Sequence, residues 1–355
     1  MEVIRHLGAA QAQDFGVAKW SLAQRAGDLT NSAVEQAFSD GSIVRTHILR
    51  PTWHFVLPTD VRWMLELTGP RVNARNTPRY RQLGLDDELF ASTNELFAEA
   101  LKGRRHLTRK ELAGVLDRAG ISTDGQRMAY ILMRAELDAV LCSGPRKGKL
   151  QTYALFDERV PTRRTMDRDA ALAELTRRYF GARGPATVKD LVWWSSLTSR
   201  DARLGIEAIQ SELDSETVDG RVYWFAKETR RTAPRSSTGS RGIDLVQGLD
   251  ECIVSYRESK DVLFPSAATT PIPLQDIVFN HVVLLDGQLI GQWRPVQRKG
   301  SILGETLLYR RLSRRETGAL EAAIEKYGRF MEMPATQQVR GGKSRSLRTI
   351  SPRVR

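Results

Sequence analysis

Apolar residues recur at helical spacing in two places along the chain. Met128, Ile131, Leu132 and Ala135 fall at i, i+3, i+4 and i+7, and Ala202, Gly205, Ile206 and Ile209 repeat the pattern. Each set predicts a helix with one buried stripe. A shorter helix precedes each stripe: TRKELAGVLDRAG from Thr108, and ATVKDLVWWSSL around Thr187. Strand-like runs follow. Residues 137–142 and 151–156 flank the loop SGPRKGK, whose Gly and Pro force a turn, and a second hairpin runs through Val218, Asp219-Gly220 and 222–225. Helix, turn, helix and β-hairpin is the order of a winged helix, and two copies point to a nucleic-acid reader.

The charged side chains of these segments should face outward. Arg127 and Arg134 lie off the first stripe, and Arg200 and Arg203 sit in the first turns of the second, where a recognition helix would meet DNA. The bland alternative for each is solvation of a helix face. The loop between the first pair of strands is basic through Arg146, Lys147 and Lys149.

The same pattern extends to the rest of the chain. Residues 1–58 read as a helix from Glu2, a polar turn, helices at 15–25 and 32–38, and strands at 42–48 and 52–57 separated by Leu49-Arg50-Pro51. That order makes a third, more divergent winged helix. Residues 59–104 form a helical connector, 105–160 the second winged helix and 168–228 the third, with a charged linker at 158–168. A Ser-, Gly- and Arg-rich loop at 230–242 leads to a β-rich stretch, 243–330, with turns at Asp286-Gly287 and Arg298-Lys299-Gly300 and a closing helix at 314–327. The fold class expected is α+β: three tandem winged-helix units followed by a small β-rich C-terminal domain.

Composition adds a sign to this picture. The 355 residues exceed one ordinary core, and 41% hydrophobic content supports packed domains. Net charge is +12, which favours polyanionic partners. Half of that charge lies in a basic tail at 336–355, in Arg340, Lys343, Arg345, Arg348, Arg353 and Arg355 with no acid among them. Arg298 and Lys299 give the C-terminal domain a basic turn of its own. Only Cys142 and Cys252 are present and no secretory leader is visible, so a reduced cytoplasm, close to the nucleoid, is the expected compartment. His6, His47, His54, His106 and His281 show no zinc-ligand spacing, and no apolar run approaches membrane-spanning length. No metal, no cofactor and no membrane are expected.

Usual hydrolase triads, phosphate loops and paired carboxylates are missing. One polar cluster stands out: Gln11 and Gln13 in AAQAQDF, beside Asp14. Alone it is a weak signal, since glutamines near a helix end are usually solvated. Its context is more telling. HLGAAQAQDFGVAKWSLAQRAGD, VRTHILRPTWHFVLPTDVRWML, RRYFGARGPATVKDLVWWSSL, GLDECIVSYRESK and LIGQWRP occur in one order. From His6 to Tyr327 the chain resembles the AlkZ-like winged-helix DNA glycosylases, the group that includes the YcaQ-type interstrand-crosslink glycosylases.

That resemblance implies a monofunctional base-excision enzyme, a monomer acting on double-stranded DNA with alkylated bases, its winged helices arranged around a concavity. The family's Gln-x-Gln, with Gln-x-Asp in another branch, falls on Gln11-Ala12-Gln13. Gln13 would then hold the hydrolytic water, and Gln11 would orient the nucleotide or share that water. The chemistry is coherent. A purine alkylated at N7 or N3 is cationic and leaves without a general acid, so a carboxamide that places water and stabilises an oxocarbenium-like centre suffices. Thr52 and His54 are further candidates, with Arg50. Here Arg50-Pro51-Thr52 replaces the family's Arg-Gly-Thr, and a hydrogen-bonded core histidine is the competing reading of His54. Cys252 and Arg257-Glu258-Ser259 also depart from the family's pattern. Trp193-Trp194 are expected in the core rather than stacked on bases. The alternative class is a non-catalytic winged-helix DNA-binding protein, a transcription factor or lesion sensor.

Overall fold

The computed structural model of the chain describes residues 1–160, 165–232, 242–264 and 280–339. Part of the 158–168 linker, most of the 230–242 loop, the start of the run before Asp286-Gly287 and residues 340–355 of the basic tail lie outside them. The chain forms two compact units: Met1–Gln13 with Glu35–Lys227, and Asp14–Val34 with Glu228–Arg355.

In the first unit, α1 (Glu2–Leu7) leads into β1 (Ala9–Gln11). The chain leaves for the second unit through α2 (Phe15–Ala26) and returns within α3 (Asn31–Ser39). Residues 1–58 are therefore not one packed body. Their strands are β2 (Val44–Ile48) and β3 (Arg50–Val56), and the sheet order is β1-β3-β2, antiparallel throughout. The turn expected at Leu49-Arg50-Pro51 shrinks to Leu49, at φ 64°, and Arg50 and Pro51 open β3. Pro51 is accommodated because the register shifts there: His47 pairs with Trp53 but Ile48 with Arg50, so Pro51 and Thr52 form a bulge in which no ladder N–H is required.

The connector is two helices, α4 (Pro58–Gln82) and α5 (Asp87–Leu101), the second capped by Asp86. Next come β4 (Leu107–Thr108), α6 (Arg109–Arg118), α7 (Arg127–Leu137), β5 (Leu141–Ser143), β6 (Thr152–Leu155) and α8 (Phe156–Arg159). The strand expected from residue 137 starts later. Helix α7 continues to Leu137, where Arg134 bridges Asp138 one turn on, and Ala139, at φ 56°, makes the turn. The same unit ends with α9 (Arg168–Arg183), α10 (Val188–Ser195), α11 (Ser199–Ala208), β7 (Leu213–Val218) and β8 (Arg221–Ala226), and α12 (Lys227–Thr232) carries the chain out of it.

Local sequence fixes the helix starts. Thr108 with Glu111, Thr187 with Asp190 and Thr198 with Asp201 each form a capping box that satisfies otherwise orphaned backbone N–H groups. Both apolar stripes are buried. Met128, Ile131, Leu132 and Ala135 join a core with Phe90, Phe97 and Leu112, and α11 lies so close to α9 that a Cβ on Gly205 would meet the Thr176 hydroxyl at 2.1 Å.

The second unit is a five-stranded sheet, order β13-β12-β11-β10-β9, built from β9 (Ile243–Val246), β10 (Val282–Leu285), β11 (Gln288–Arg298), β12 (Ser301–Leu308) and β13 (Ala335–Val339). Among the described residues, α13 (Glu251–Val254), a short 3-10 helix (Ser259–Leu263) and α14 (Arg314–Phe330) also belong to it. The tail expected from residue 336 thus begins as a strand, β13 pairing parallel with β12. Helix α2 packs into this unit's core: Trp20 meets Tyr327 edge-on at 5.0 Å and its indole N–H donates to the Leu245 carbonyl at 2.7 Å. Arg25 grips Asp250 with two hydrogen bonds of 2.9 and 2.6 Å.

Candidate active site

Strand β1 is short, and its placement brings the glutamines to the histidine. Gln11 pairs with His54 across the β1–β3 ladder, and His54 pairs with Thr46 on its other side. Gln11, His54 and Thr46 therefore share a face. Gln11 is 4% exposed and lies in a strand, not at a solvated helix end. His54 is fully buried, and its Nδ1 donates to the Thr52 carbonyl at 2.9 Å. Arg50 is half-buried at the start of β3, opposite Ile48.

Gln13 stands two residues past the ladder and is exposed. Its backbone N–H donates to Gln11 Oε1 at 3.2 Å, and its side-chain oxygen accepts the Trp53 backbone N–H at 3.3 Å. The intervening Ala12 N–H donates to the Trp53 carbonyl at 2.7 Å. Asp14 takes no part: its carboxylate caps α2, accepting from Gly16 and Val17 N–H groups.

Two buried arginines hold the backbone around this strand. Arg183 donates to the carbonyls of Leu7 at 2.7 Å and Ala9 at 3.0 Å. Arg45 donates to those of Ala12 at 2.9 Å and Gln13 at 3.2 Å, reaches Gln151 Oε1 at 2.5 Å, and lies 4.3 Å over the Trp53 ring. Beneath Trp53, the fully buried Glu136 of α7 accepts its indole N–H at 3.1 Å and bonds His47 Nδ1. Arg45, His47, Trp53, Glu136 and Arg183 had no place among the sequence candidates. The available signal was a charged Arg45 and His47 alternating within a strand whose neighbours are Val44 and Ile48, and a lone Glu136 inside an apolar helix pattern.

The basic candidates separate. Arg127 donates to the carbonyls of Leu83, Gly84 and Ser122, the last at 3.0 Å, so it closes the end of α4. Arg134 is engaged by Asp138 and Asp87 and lies 4.8 Å over the Phe90 ring. Both guanidiniums are partly exposed, and each finds acceptors within its own unit. Arg146 pairs with Glu35 at 3.3 Å, and Lys147 approaches Glu111 at 3.5 Å while staying 70% exposed. Arg200 and Arg203 are exposed on α11, and Arg298 and Lys299 are exposed at the turn between β11 and β12. The tryptophan pair divides, Trp194 wholly buried and Trp193 39% exposed.

No cluster of three or more His, Cys, Asp or Glu able to hold a metal occurs among the described residues. Among them too, no helix is long and apolar enough to cross a membrane. Burial pushes the Cys142 thiol well above its ordinary range, which removes it as a nucleophile.

The mixed α+β chain thus carries Gln11 on β1 opposite a buried histidine, and the exposed Gln13 just beyond the strand. Residues 4–330 match the model of the DNA glycosylase AlkZ-like family. The chain belongs to that family, and it is a DNA glycosylase of the DNA-repair class. It is 25% identical over 312 residues to the interstrand DNA cross-link repair glycosylase of Streptomyces sahachiroi, covering 84% of this chain and 82% of that protein. The solved structure of the S. sahachiroi DNA glycosylase AlkZ superposes with a TM-score of 0.75 at 23% identity, covering 95% of this chain and 92% of that one.

Proposed function

We propose that this DNA glycosylase hydrolyses the N-glycosidic bond of bulky or cationic N-alkylpurines, N7-alkylguanine among them, in double-stranded DNA. Cross-link repair by the S. sahachiroi relative extends the proposal to interstrand crosslinks. Gln13 holds the attacking water and Gln11 shares it or orients the nucleotide. The observation that carries the reading is the anchored yet exposed Gln13: its amide oxygen has one lone pair directed to Trp53 N–H and another for a water proton. A carboxamide cannot protonate a leaving base, so normal purines, which need that proton, should stay bound. His54 lies on the Gln11 face, its Nδ1 held by the Thr52 carbonyl.

The segments α6–α7 with β4–β6 and α10–α11 with β7–β8 are read as tandem winged helices binding duplex DNA, chiefly through Arg200 and Arg203, with Arg146 and Lys147 of the hairpin between β5 and β6 as further contacts. Arg298 and Lys299 are the candidate contacts of the second unit. The enzyme is expected to act as a monomer without a metal. Duplex DNA carrying N7-alkylguanine, incubated with protein and then heated in alkali, should break at the lesion, with or without EDTA. Intact strands after incubation with saturating protein would leave the non-catalytic DNA-binding reading. The departure that favours that alternative, Pro51, is absorbed by the β3 bulge, and the Gln11–His54 pairing is kept.

A further inference from the structure

The strand that carries the glutamines ends before the residue that matters most. Beyond Gln11 the sheet adds one last backbone bond, Ala12 N–H to the Trp53 carbonyl, and Gln13 then precedes the turn into Asp14. A water-holding amide must be fixed to about 0.5 Å, and a displacement of about 1 Å can cost roughly 10²-fold in rate. Something other than the sheet must hold it.

We infer that Arg45 is a positioning residue for the excision reaction, fixing Gln13 through its backbone while Trp53 fixes it through its side chain. The inference rests on the reading of Gln13 as the water-holding group. Arg45 donates to the carbonyls on both sides of the Gln13 Cα, those of Ala12 and of Gln13 itself, and, from its third nitrogen, to Gln151 Oε1. The same guanidinium lies 4.3 Å over Trp53, whose backbone N–H holds the Gln13 amide oxygen. Two of the three attachments of Gln13, the third being its N–H to Gln11 Oε1, therefore converge on one stacked pair. Arg45 is only 2% exposed, so its hydrogen bonds face little competition from water. A planar fork with donors in fixed directions can serve three acceptors at once, and a lysine ammonium, a point donor on a flexible stem, cannot reproduce it. Arg45 does not touch the substrate in this account. It acts through Gln13.

The test compares Arg45→Lys with wild type, and repeats the change in a Gln13→Ala background. Single-turnover base release from N7-alkylguanine DNA, affinity for the same duplex and the melting temperature are read for each, together with the side-chain amide NMR signal of Gln13. The expected result is a fall in excision of roughly 10- to 100-fold for Arg45→Lys, affinity within about twofold, a shifted Gln13 amide signal, and little further loss when Gln13 is already alanine. Equal losses in both backgrounds, or a loss of rate that tracks a fall in affinity or melting temperature, would make Arg45 a structural residue and overturn the inference. So would wild-type rates in Arg45→Lys. Wild-type protein that releases no base sinks the glycosylase reading and this inference's chemical role together. The amide signal still reports separately whether Arg45 sets the geometry of Gln13.

Discussion

Helices α7 and α11 carry the same apolar stripe yet use their other faces differently. On α7 the polar groups turn into the protein: Arg127 seals the end of α4, Arg134 is engaged by Asp87 and Asp138, and Glu136 is buried under Trp53 and His47. On α11, Arg200 and Arg203 remain at the surface. Hydrophobic periodicity specifies that a helix packs. It does not specify whether the outer face serves as a support or as an interface, because that depends on acceptors contributed by distant segments. In this chain α7 underpins the candidate site and α11 is the better candidate for contact with DNA.

The largest expected effect falls on the support. Replacing Glu136 by Ala leaves the Trp53 indole N–H and the His47 ring without their buried carboxylate, at a stability cost of about 3 kcal/mol. Excision should fall on the order of 10²-fold as Trp53 loosens its hold on Gln13. Calorimetry and single-turnover kinetics check the two parts. An unchanged rate in a destabilised protein would detach α7 from the site. A smaller effect is expected at Arg134→Ala, about 1 to 2 kcal/mol of stability from lost ion pairs and the contact with Phe90, with DNA affinity unchanged. Weaker DNA binding at full stability would place α7 on the interface and erase the contrast between the helices.

The complement is the double replacement Arg200→Ala with Arg203→Ala. Melting should not move, while duplex affinity falls roughly fivefold and the slope of log affinity against log salt drops by about two, as expected for two lost phosphate contacts. Titrations at several salt concentrations decide it. An unaltered salt slope would leave these arginines as solvated surface.

Much of the fold was legible because its signals are local. Capping boxes at Thr108, Thr187 and Thr198 and the turns at Asp219-Gly220 and Asp286-Gly287 depend on residues within a few positions of one another. The destination of α2 was not legible. Its Trp20 packs against Tyr327 and Leu245, partners from the far end of the chain, and an amphipathic helix does not state which core it will join. The site divides the same way. Gln11, Gln13, Thr52 and His54 were singled out as candidates through motif order, and the register of β1 with β3 brings Gln11 opposite His54. Arg45, Arg183 and Glu136 escaped because a buried charge looks like any surface charge until its acceptors, here the carbonyls of residues 7, 9, 12 and 13 and the ring N–H of Trp53, are brought to it.

The central claim is that base release depends on a water held by Gln13, and one measurement addresses it directly: single-turnover excision of N7-alkylguanine from duplex DNA by wild type and by Gln13→Ala. The account predicts a fall of roughly 10²-fold or more, with duplex affinity within about twofold, since one positioning and electrostatic group is lost while the exposed arginines proposed to meet DNA remain. Gln13→Asp should retain part of the activity, because a carboxylate oxygen can accept from both Trp53 N–H and water. Excision by Gln13→Ala at the wild-type rate would contradict the assignment of the reaction to this strand.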